Sequence, residues 1–291
     1  MNIKDIEIFK AIAHHGNLTK AAKELNYVQS NITNKLSKIE NEVGRDLVIR
    51  TNKGVILTAE GKIFSEYVDR MMQLYREMLD TMKHSTEILG QLNIGATDIT
   101  TVARLPKVLS FYLESYPQVE LTLTNGSSKN LIKDVLEYKV DGAFITDFVN
   151  ENKLIYETLI EEEVVLISSI NHPPIKCLKD LNGRDILVFQ KGCTYRRKLE
   201  EWVNKEGILA RKVSFGTIEG MVGCVKAGVG VAMVSKLIAE QLNNDQKIQF
   251  HEVPEEYKYV KTIFIRRKDI PTTRALDKFL DITREVFENS Y

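Results

Sequence analysis

Residues 18–53 read LTKAAKELNYVQSNITNKLSKIENEVGRDLVIRTNK. Leu18, Ala21, Ala22 and Leu25 are spaced three and four apart, which sets them on one face of a helix. After a break at Asn26-Tyr27-Val28, Ile32, Leu36, Ile39 and Val43 repeat that spacing and predict a second buried stripe. The opposite face of this second helix carries Ser30, Asn34, Ser37, Lys38 and Asn41. Small hydrogen-bonding side chains and a cation, with almost no acid among them, suit contact with base edges and phosphates.

Upstream, Ile6, Phe9, Ile12 and Ala13 give a buried face to a helix over Ile3–His14, broken by Gly16-Asn17. Downstream, Gly44 ends the second helix as a C-cap glycine. Leu47–Arg50 and Val55–Leu57 are β-rich runs joined by the turn-forming Thr51-Asn52-Lys53-Gly54. Three helices followed by a hairpin predict a winged helix-turn-helix.

Thr58 is placed to cap a further helix from Ala59 to about Ile88, with Glu60 in its first turn. Phe64, Tyr67, Met71, Tyr75, Met78 and Met82 advance by three and four, and Val68, Met72 and Leu79 widen the stripe. A helix of about 30 residues would be about 45 Å long. No small core needs that length, so the reading is a linker helix that pairs with its twin in a dimer, with the methionines as packing.

From Gln91 the period changes. Strand, helix, strand, helix, strand run through Leu92–Gly95, Val102–Glu114, Val119–Leu123, Asn130–Tyr138 and Gly142–Ile145. That rhythm predicts an α/β sheet with parallel strands. A second such run begins near Val164 and passes through Ile186–Phe189, Tyr195–Lys205, Val213–Phe215, Glu219–Ala227 and Gly228–Val234. The chain closes with strand Thr262–Ile265 and helix Arg274–Glu288, expected to return to the first lobe. The hinge is expected near Glu157–Val164 and Tyr259–Ile263. The resulting division is 1–58 as DNA-binding head, 59–89 as dimerising helix and 90–291 as a two-lobed α/β domain. Its lobe I spans about 90–161 and 265–291, and its lobe II about 162–264.

Composition bounds the rest. At 291 residues, 43% apolar and 27% charged, the chain is a globular protein of about two domains. No apolar run approaches the roughly 18 residues that cross a bilayer, and Met1–Asp5 opens no signal-peptide core, so a cytoplasmic protein without membrane partners is expected. The 40 basic and 40 acidic residues cancel, and residues 1–57, with nine Lys/Arg against six Asp/Glu, carry only a small positive excess. Cys177, Cys193 and Cys224 form no Cys-x-x-Cys pair, so neither a metal nor a cofactor is expected.

Taken together the chain resembles the LysR-type transcriptional regulators over its whole length. The resemblance rests on Phe9-x-Ala11-Ile12-Ala13, Gly16-Asn17-Leu18-Thr19-x-Ala21-Ala22-x-x-Leu25, Gln29-Ser30-x-Ile32-Thr33, Leu36-x-x-Ile39-Glu40, Gly44, Arg50 and Leu57-Thr58-x-x-Gly61. Ala227-Gly228-Val229-Gly230-Val231-Ala232 matches the family's later glycine-containing segment. Two positions depart from the pattern: Asn31 stands where proline is usual, and Asn34-Lys35 where an arginine is common, which implies an altered base preference.

The resemblance implies an α/β fold with an N-terminal winged helix-turn-helix, a long linker helix and a two-lobed effector domain like type 2 periplasmic-binding proteins. It implies that Gln29, Ser30, Asn31, Thr33 and Asn34 reach base edges of double-stranded DNA, while Lys35, Lys38, Arg50 and Lys53 meet phosphates or the minor groove. Asn and Gln pair bidentately with adenine, so an A·T-rich half-site fits. It also implies dimers or tetramers, promoter binding upstream of a divergent gene, often repression of the chain's own gene, and RNA polymerase as a further candidate partner.

In such lobed sheets ligands lie beyond the strand C-termini, beside helix N-termini. Thr97, Asp98, Thr100 and Thr101, then Ser127 and Ser128, then Gly192, Cys193, Thr194 and Arg196 occupy loops of that kind. Lys191 and Arg196 make a small anionic metabolite the natural ligand, while Asp98 and Asp147 are placed to receive an ammonium or to join the lobes by ion pairs. Ordinary helix capping is the competing reading of each loop residue.

Two other functions compete with this reading. Cys193, at a helix start beside Lys191 and Arg196, could be an acidic redox-sensing thiol resolved by Cys224, although the spacing differs from peroxide-sensing family members. An enzyme using Cys193 with His172 or His251 finds no support in any nucleophile-elbow, phosphate-loop or zinc-protease motif.

Overall fold

The computed structural model describes residues 1–51, 54–82, 88–147, 149–175, 177–181 and 183–289. The chain divides into two compact units, Met1–His84 and Ser85–Tyr291.

The first unit holds α1 (Ile3–His15), α2 (Leu18–Glu24), α3 (Gln29–Val43), β1 (Val48–Thr51), β2 (Gly54–Leu57) and α4 (Ala59–Met82). Asn2 and Asp5 close a reciprocal capping box at the start of α1. Gly16 and Gly44 end α1 and α3 in the left-handed conformation, at φ 56° and 73°. The predicted stripes meet in one core, Ile6, Phe9 and Ile12 from α1, Ala21 and Ala22 from α2, and Ile32, Leu36 and Ile39 from α3, whereas Val43, expected in the α3 stripe, is exposed at its end. Leu47, read in the sequence as strand, precedes β1 and is fully buried in that core.

β1 and β2 pair antiparallel as the expected hairpin, from Val48 opposite Leu57 to Thr51 opposite Gly54. The predicted stripe of α4 separates into two faces. Phe64, Val68, Met72 and Tyr75 pack on the head, with the Phe64 ring edge-on to Phe9 at 4.8 Å. Ile63, Tyr67, Met71, Leu74, Met78 and Met82 are exposed. The expected continuation over 83–87 lies outside the described residues, and Ile88 is not helical.

The second unit contains β3 (Gly90–Ala96), α5 (Asp98–Ala103), α6 (Leu105–Ser115), β4 (Val119–Asn125), α7 (Ser128–Leu136), β5 (Gly142–Thr146) and β6 (Leu154–Ser169). β7 (Asp185–Phe189), α8 (Thr194–Lys205), β8 (Lys212–Phe215), α9 (Ile218–Lys226), β9 (Gly230–Ser235) and α10 (Lys236–Gln241) follow. β10 (Ile248–His251), α11 (Glu255–Lys258), β11 (Tyr259–Arg267) and α12 (Arg274–Glu288) complete it. The sheet order is β4-β3-β5-β11-β6-β9-β7-β8, with β10 also paired to β6.

Expected parallel pairing holds within β4-β3-β5 and within β8-β7-β9. Between these halves the pairing is antiparallel, because β6 and β11 carry the chain across and back. The sheet is therefore mixed, not parallel throughout. β6 is one continuous strand: Leu154–Glu163 pairs with β11, and from Val164 onward its partners are β9 and β10. The expected single helix over Val102–Glu114 is two, broken at Arg104 because Pro106 starts α6 without an amide to continue the ladder of α5. α12 packs on the first half, where Phe279 lies 5.2 Å from Tyr112 and 6.1 Å from Phe144, ring to ring.

Candidate functional site

The head presents the polar face of α3. Gln29, Ser30, Asn34, Lys38 and Arg50 are exposed, and Asn31 and Thr33 half-buried. Val28 precedes α3 in extended conformation and makes no side-chain capping bond, although its carbonyl accepts from the Asn31 amide at 3.0 Å. Thr19 donates to Gln29 Oε1 at 3.0 Å and so ties α2 to the start of α3. Lys35 is placed differently from the expectation. Its Nζ donates to the buried Asp5 at 2.8 Å, so its charge is spent inside the head. Lys53 lies outside the described residues.

In the second unit a cavity of about 220 Å³ lies beyond the C-terminal ends of five strands. The lining comes from Thr97, Asp98 and Ile99 after β3, from Asn125 at the end of β4 and Gly126 to Ser128 after it, and from Thr146 at the end of β5. The opposite wall is Phe189 at the end of β7 with Gln190, Cys193 and Tyr195 after it, and Phe215 at the end of β8 with Gly216 after it. Sheet topology produces this arrangement: parallel strands aim their carboxyl ends, and the helices that follow, at one crevice.

Bonds across the crevice hold the walls together. Asp98 Oδ2 accepts from the Ile218 amide, at the start of α9, at 2.7 Å. The Thr194 hydroxyl donates to the Thr146 carbonyl at 3.2 Å, and Arg197 pairs with Asp147. Gly192, at φ 93°, lets the chain pass so close that an added Cβ would sit 3.2 Å from Ser127 Oγ.

The structure thus brings Thr97, Asp98, Ser127, Ser128 and Cys193 to the cavity. Thr100 and Thr101 bond instead to Thr97, and Thr101 also to Asn125 Oδ1 at 2.7 Å. Arg196 does not reach the cavity: it is bound to the Phe189 carbonyl at 2.9 Å, Ser214 at 3.1 Å and Glu200 at 3.1 Å. Lys191 is exposed and does not line it either. Among the described lining residues Asp98 is the one charged side chain. Burial pushes its carboxyl above the usual range, opposed by the Ile218 amide and reinforced by Glu219.

Residues 3–62 match the bacterial regulatory helix-turn-helix proteins of the lysR family, and residues 85–288 match the LysR substrate-binding domain. The chain belongs to the LysR family of transcriptional regulators. It is 38% identical over 291 residues to the HTH-type transcriptional regulator SoxR of Arthrobacter sp. (strain TE1826), covering 100% of this chain and 99% of that one. To the regulator GltR of Bacillus subtilis it is 37% identical, over 99% of this chain and 98% of that one.

Two solved LysR-type structures share the fold. A full-length OxyR variant from Pseudomonas aeruginosa superposes with TM-score 0.78 at 16% identity, covering 98% of this chain and 95% of that one. CbnR in complex with its target DNA superposes with TM-score 0.66 at 21% identity, covering 98% and 100%.

In this LysR-family chain the alternative of an acidic Cys193 thiol finds no support. Burial pushes the thiol up, and the Tyr195 and Arg196 amides and the Arg196 charge only partly offset it. Sequence reasoning missed Asn125, Thr146, Phe189, Gln190, Phe215 and Gly216. Each sits at or just past a strand end, so the rule that selected the loops would have found them had the strand ends been placed to the residue. No described helix is long and apolar enough to cross a membrane.

Proposed function

We propose that this LysR-type regulator binds promoter DNA through α3 and its wing, and that a small molecule held in the crevice of the second unit sets its DNA-bound state. In this reading residues 1–58 are the DNA-binding head, 59–89 the dimerising helix and 90–291 the effector domain. Gln29, Ser30, Asn31, Thr33 and Asn34 read bases. Lys38, Arg50 and Lys53 meet phosphates, and Lys35 supports the helix from behind. The observation that carries the reading is a polar recognition face whose reading residues point away from the core. The effector shifts the angle between the lobes, a change of population between states the protein already visits.

The exposed stripe of Ile63, Tyr67, Met71, Leu74, Met78 and Met82 on α4 supports self-association into dimers and tetramers in the cytoplasm. RNA polymerase is a further partner in this reading. An anionic end of the effector would face the first-turn amides of α7 and α8 and the hydroxyls of Thr97, Ser127 and Ser128, since Lys191 and Arg196 do not line the crevice.

The test of the head is a pair of variants on the chain's own promoter DNA. Asn34→Ala should relax base preference, with a cost of about 1–3 kcal/mol at one position. Lys38→Ala should weaken all duplexes alike and lower the salt slope by about one. If both bind as wild type does, α3 is not the reading helix.

A further inference from the structure

The charge of the crevice runs opposite to what the sequence suggested. Every described lining residue but one is neutral, and that one is the carboxylate Asp98. One of its oxygens accepts from the Ile218 amide at 2.7 Å. No lysine or arginine among the described residues pairs with it, and the charge that acts on it through space, Glu219, is of its own sign. A half-buried carboxylate without a counter-charge is unfavourable. A ligand that brings a cation removes that cost, and a ligand that brings only negative charge increases it.

We propose that the effector presents an ammonium group to Asp98, so that the molecule bound in the crevice is a small zwitterion of the amino-acid type. This rests on the reading that the crevice is the effector site. Asp98 then does two things at once. One oxygen holds the start of α9 on the far wall, and the other receives the ligand's N–H. Closure of the lobes and recognition of the amine share a single carboxylate. The rest of the lining suits the remainder of such a molecule: hydroxyls and amides of Thr97, Asn125, Ser127, Ser128 and Gln190, with Phe189 and Phe215 against its aliphatic part. At about 220 Å³ the crevice falls below the roughly 300 Å³ at which drug-sized sites begin, so the ligand is small.

The experiment is calorimetric titration of the full-length protein with the proteinogenic L-amino acids, each hit being repeated with its 2-hydroxy acid and with the amine that lacks the carboxylate. Two variants accompany it. Asp98→Asn keeps an acceptor for the Ile218 amide but removes the charge. Gly216→Leu fills the crevice from a position where a new Cβ meets only Gln190 Nε2, at 3.6 Å.

The expected result is an amino acid whose affinity falls about 10- to 100-fold when the ammonium becomes a hydroxyl, falls by a similar factor in Asp98→Asn, and is lost in Gly216→Leu. The proposal is overturned if no amino acid binds, if the hydroxy acid or the bare amine binds as tightly, or if Asp98→Asn is indifferent. Loss in Gly216→Leu with indifference to Asp98→Asn removes the ammonium assignment alone. Binding that survives Gly216→Leu removes the crevice reading as well. Ligand-free melting curves that overlay wild type show that neither variant acts through unfolding.

Discussion

Lys35 Nζ donates to Asp5 Oδ1 at 2.8 Å, joining α3 to the first turn of α1. Asp5 also receives the Asn2 amide, so its carboxylate is held on both sides although its residue is only 1% exposed. The bond to Lys35, with the Asn2 amide and the charges of Lys35 and Lys38, holds the Asp5 carboxyl below its ordinary value of 3.8 despite burial. Replacing Lys35 with methionine keeps the packing of its stem and strands a buried carboxylate. Lys35→Met should therefore speed amide hydrogen exchange across α1 and α3 at neutral pH. Because the folded-state pKa is depressed, this stabilisation is present above pH 3.8 and fades as pH falls below it, so the difference from wild type should shrink there. Lys38→Ala, which removes only the smallest of these contributions, should change exchange far less than Lys35→Met and should weaken DNA binding. Exchange that is equal in Lys35→Met and wild type would return Lys35 to the phosphate-contact set.

Gly61 marks a second constraint on the head. It lies in the first turn of α4, and a Cβ added there would overlap the Leu47 carbonyl oxygen. Leu47 O is already occupied by the Thr58 amide at 3.0 Å, and the Thr58 hydroxyl donates to the Asp46 carbonyl at 2.8 Å, so the backbone has little room to yield. Two effects of Gly61→Ala oppose each other. Helix propensity favours alanine by about 1 kcal/mol. Overpacking against fixed backbone costs about 1–3 kcal/mol, and overlap with a carbonyl belongs at the upper end. The expected outcome is net destabilisation of the head, read as a lower urea midpoint for its transition. A raised midpoint would show that α4 can slide away from Leu47.

The first three helices of the head were legible because each stripe is a repeat of three and four with a local stop, Gly16 after α1, Asn26-Tyr27-Val28 after α2 and Gly44 after α3. The mixed pairing of the second unit was not. Whether β6 runs parallel or antiparallel to β9 depends on where the chain crosses, and nothing in Leu154–Ser169 itself records the direction of a neighbour. The site divided along the same line. Thr97, Ser127 and Cys193 could be placed because a residue between a strand and a helix start must face the crevice. The fate of Arg196 and Lys35 could not, since each is decided by a partner far away or folded against it: the Ser214 hydroxyl for one and Asp5 for the other. Charge in a sequence says where a cation is, not whether it is already spent.

Thiol chemistry should follow exposure, not helix position. Cys177 is exposed, whereas Cys193 is half-buried and its thiol is pushed up by burial. The thiolate is the reacting form. With iodoacetamide at neutral pH, mass spectrometry should find Cys177 alkylated first and Cys193 slowly, and Cys193→Ser should keep its DNA response in low peroxide. Faster labelling at Cys193 than at Cys177 would revive redox control.

His251 predicts how the second unit responds to acid. It is buried at the end of β10, and its Nδ1 accepts from the Ile175 amide at 3.4 Å. The ring proton therefore sits on Nε2, 2.9 Å from the Ser168 hydroxyl, and the folded protein holds a neutral imidazole. A second proton would have to enter at Nδ1, against the Ile175 amide. Burial, helped by the charge of Arg184, keeps the pKa below the ordinary 6.5. The unfolded chain then binds the proton first, so stability falls as pH drops below about 6.5 and goes on falling until the folded-state value is reached. The fluorescence of Trp202, in the same core, reports unfolding of this unit. Its melting midpoint should fall between about pH 7.5 and 5.5 by more in wild type than in His251→Gln, which has no proton to gain. An equal fall in both would assign the acid sensitivity to other groups.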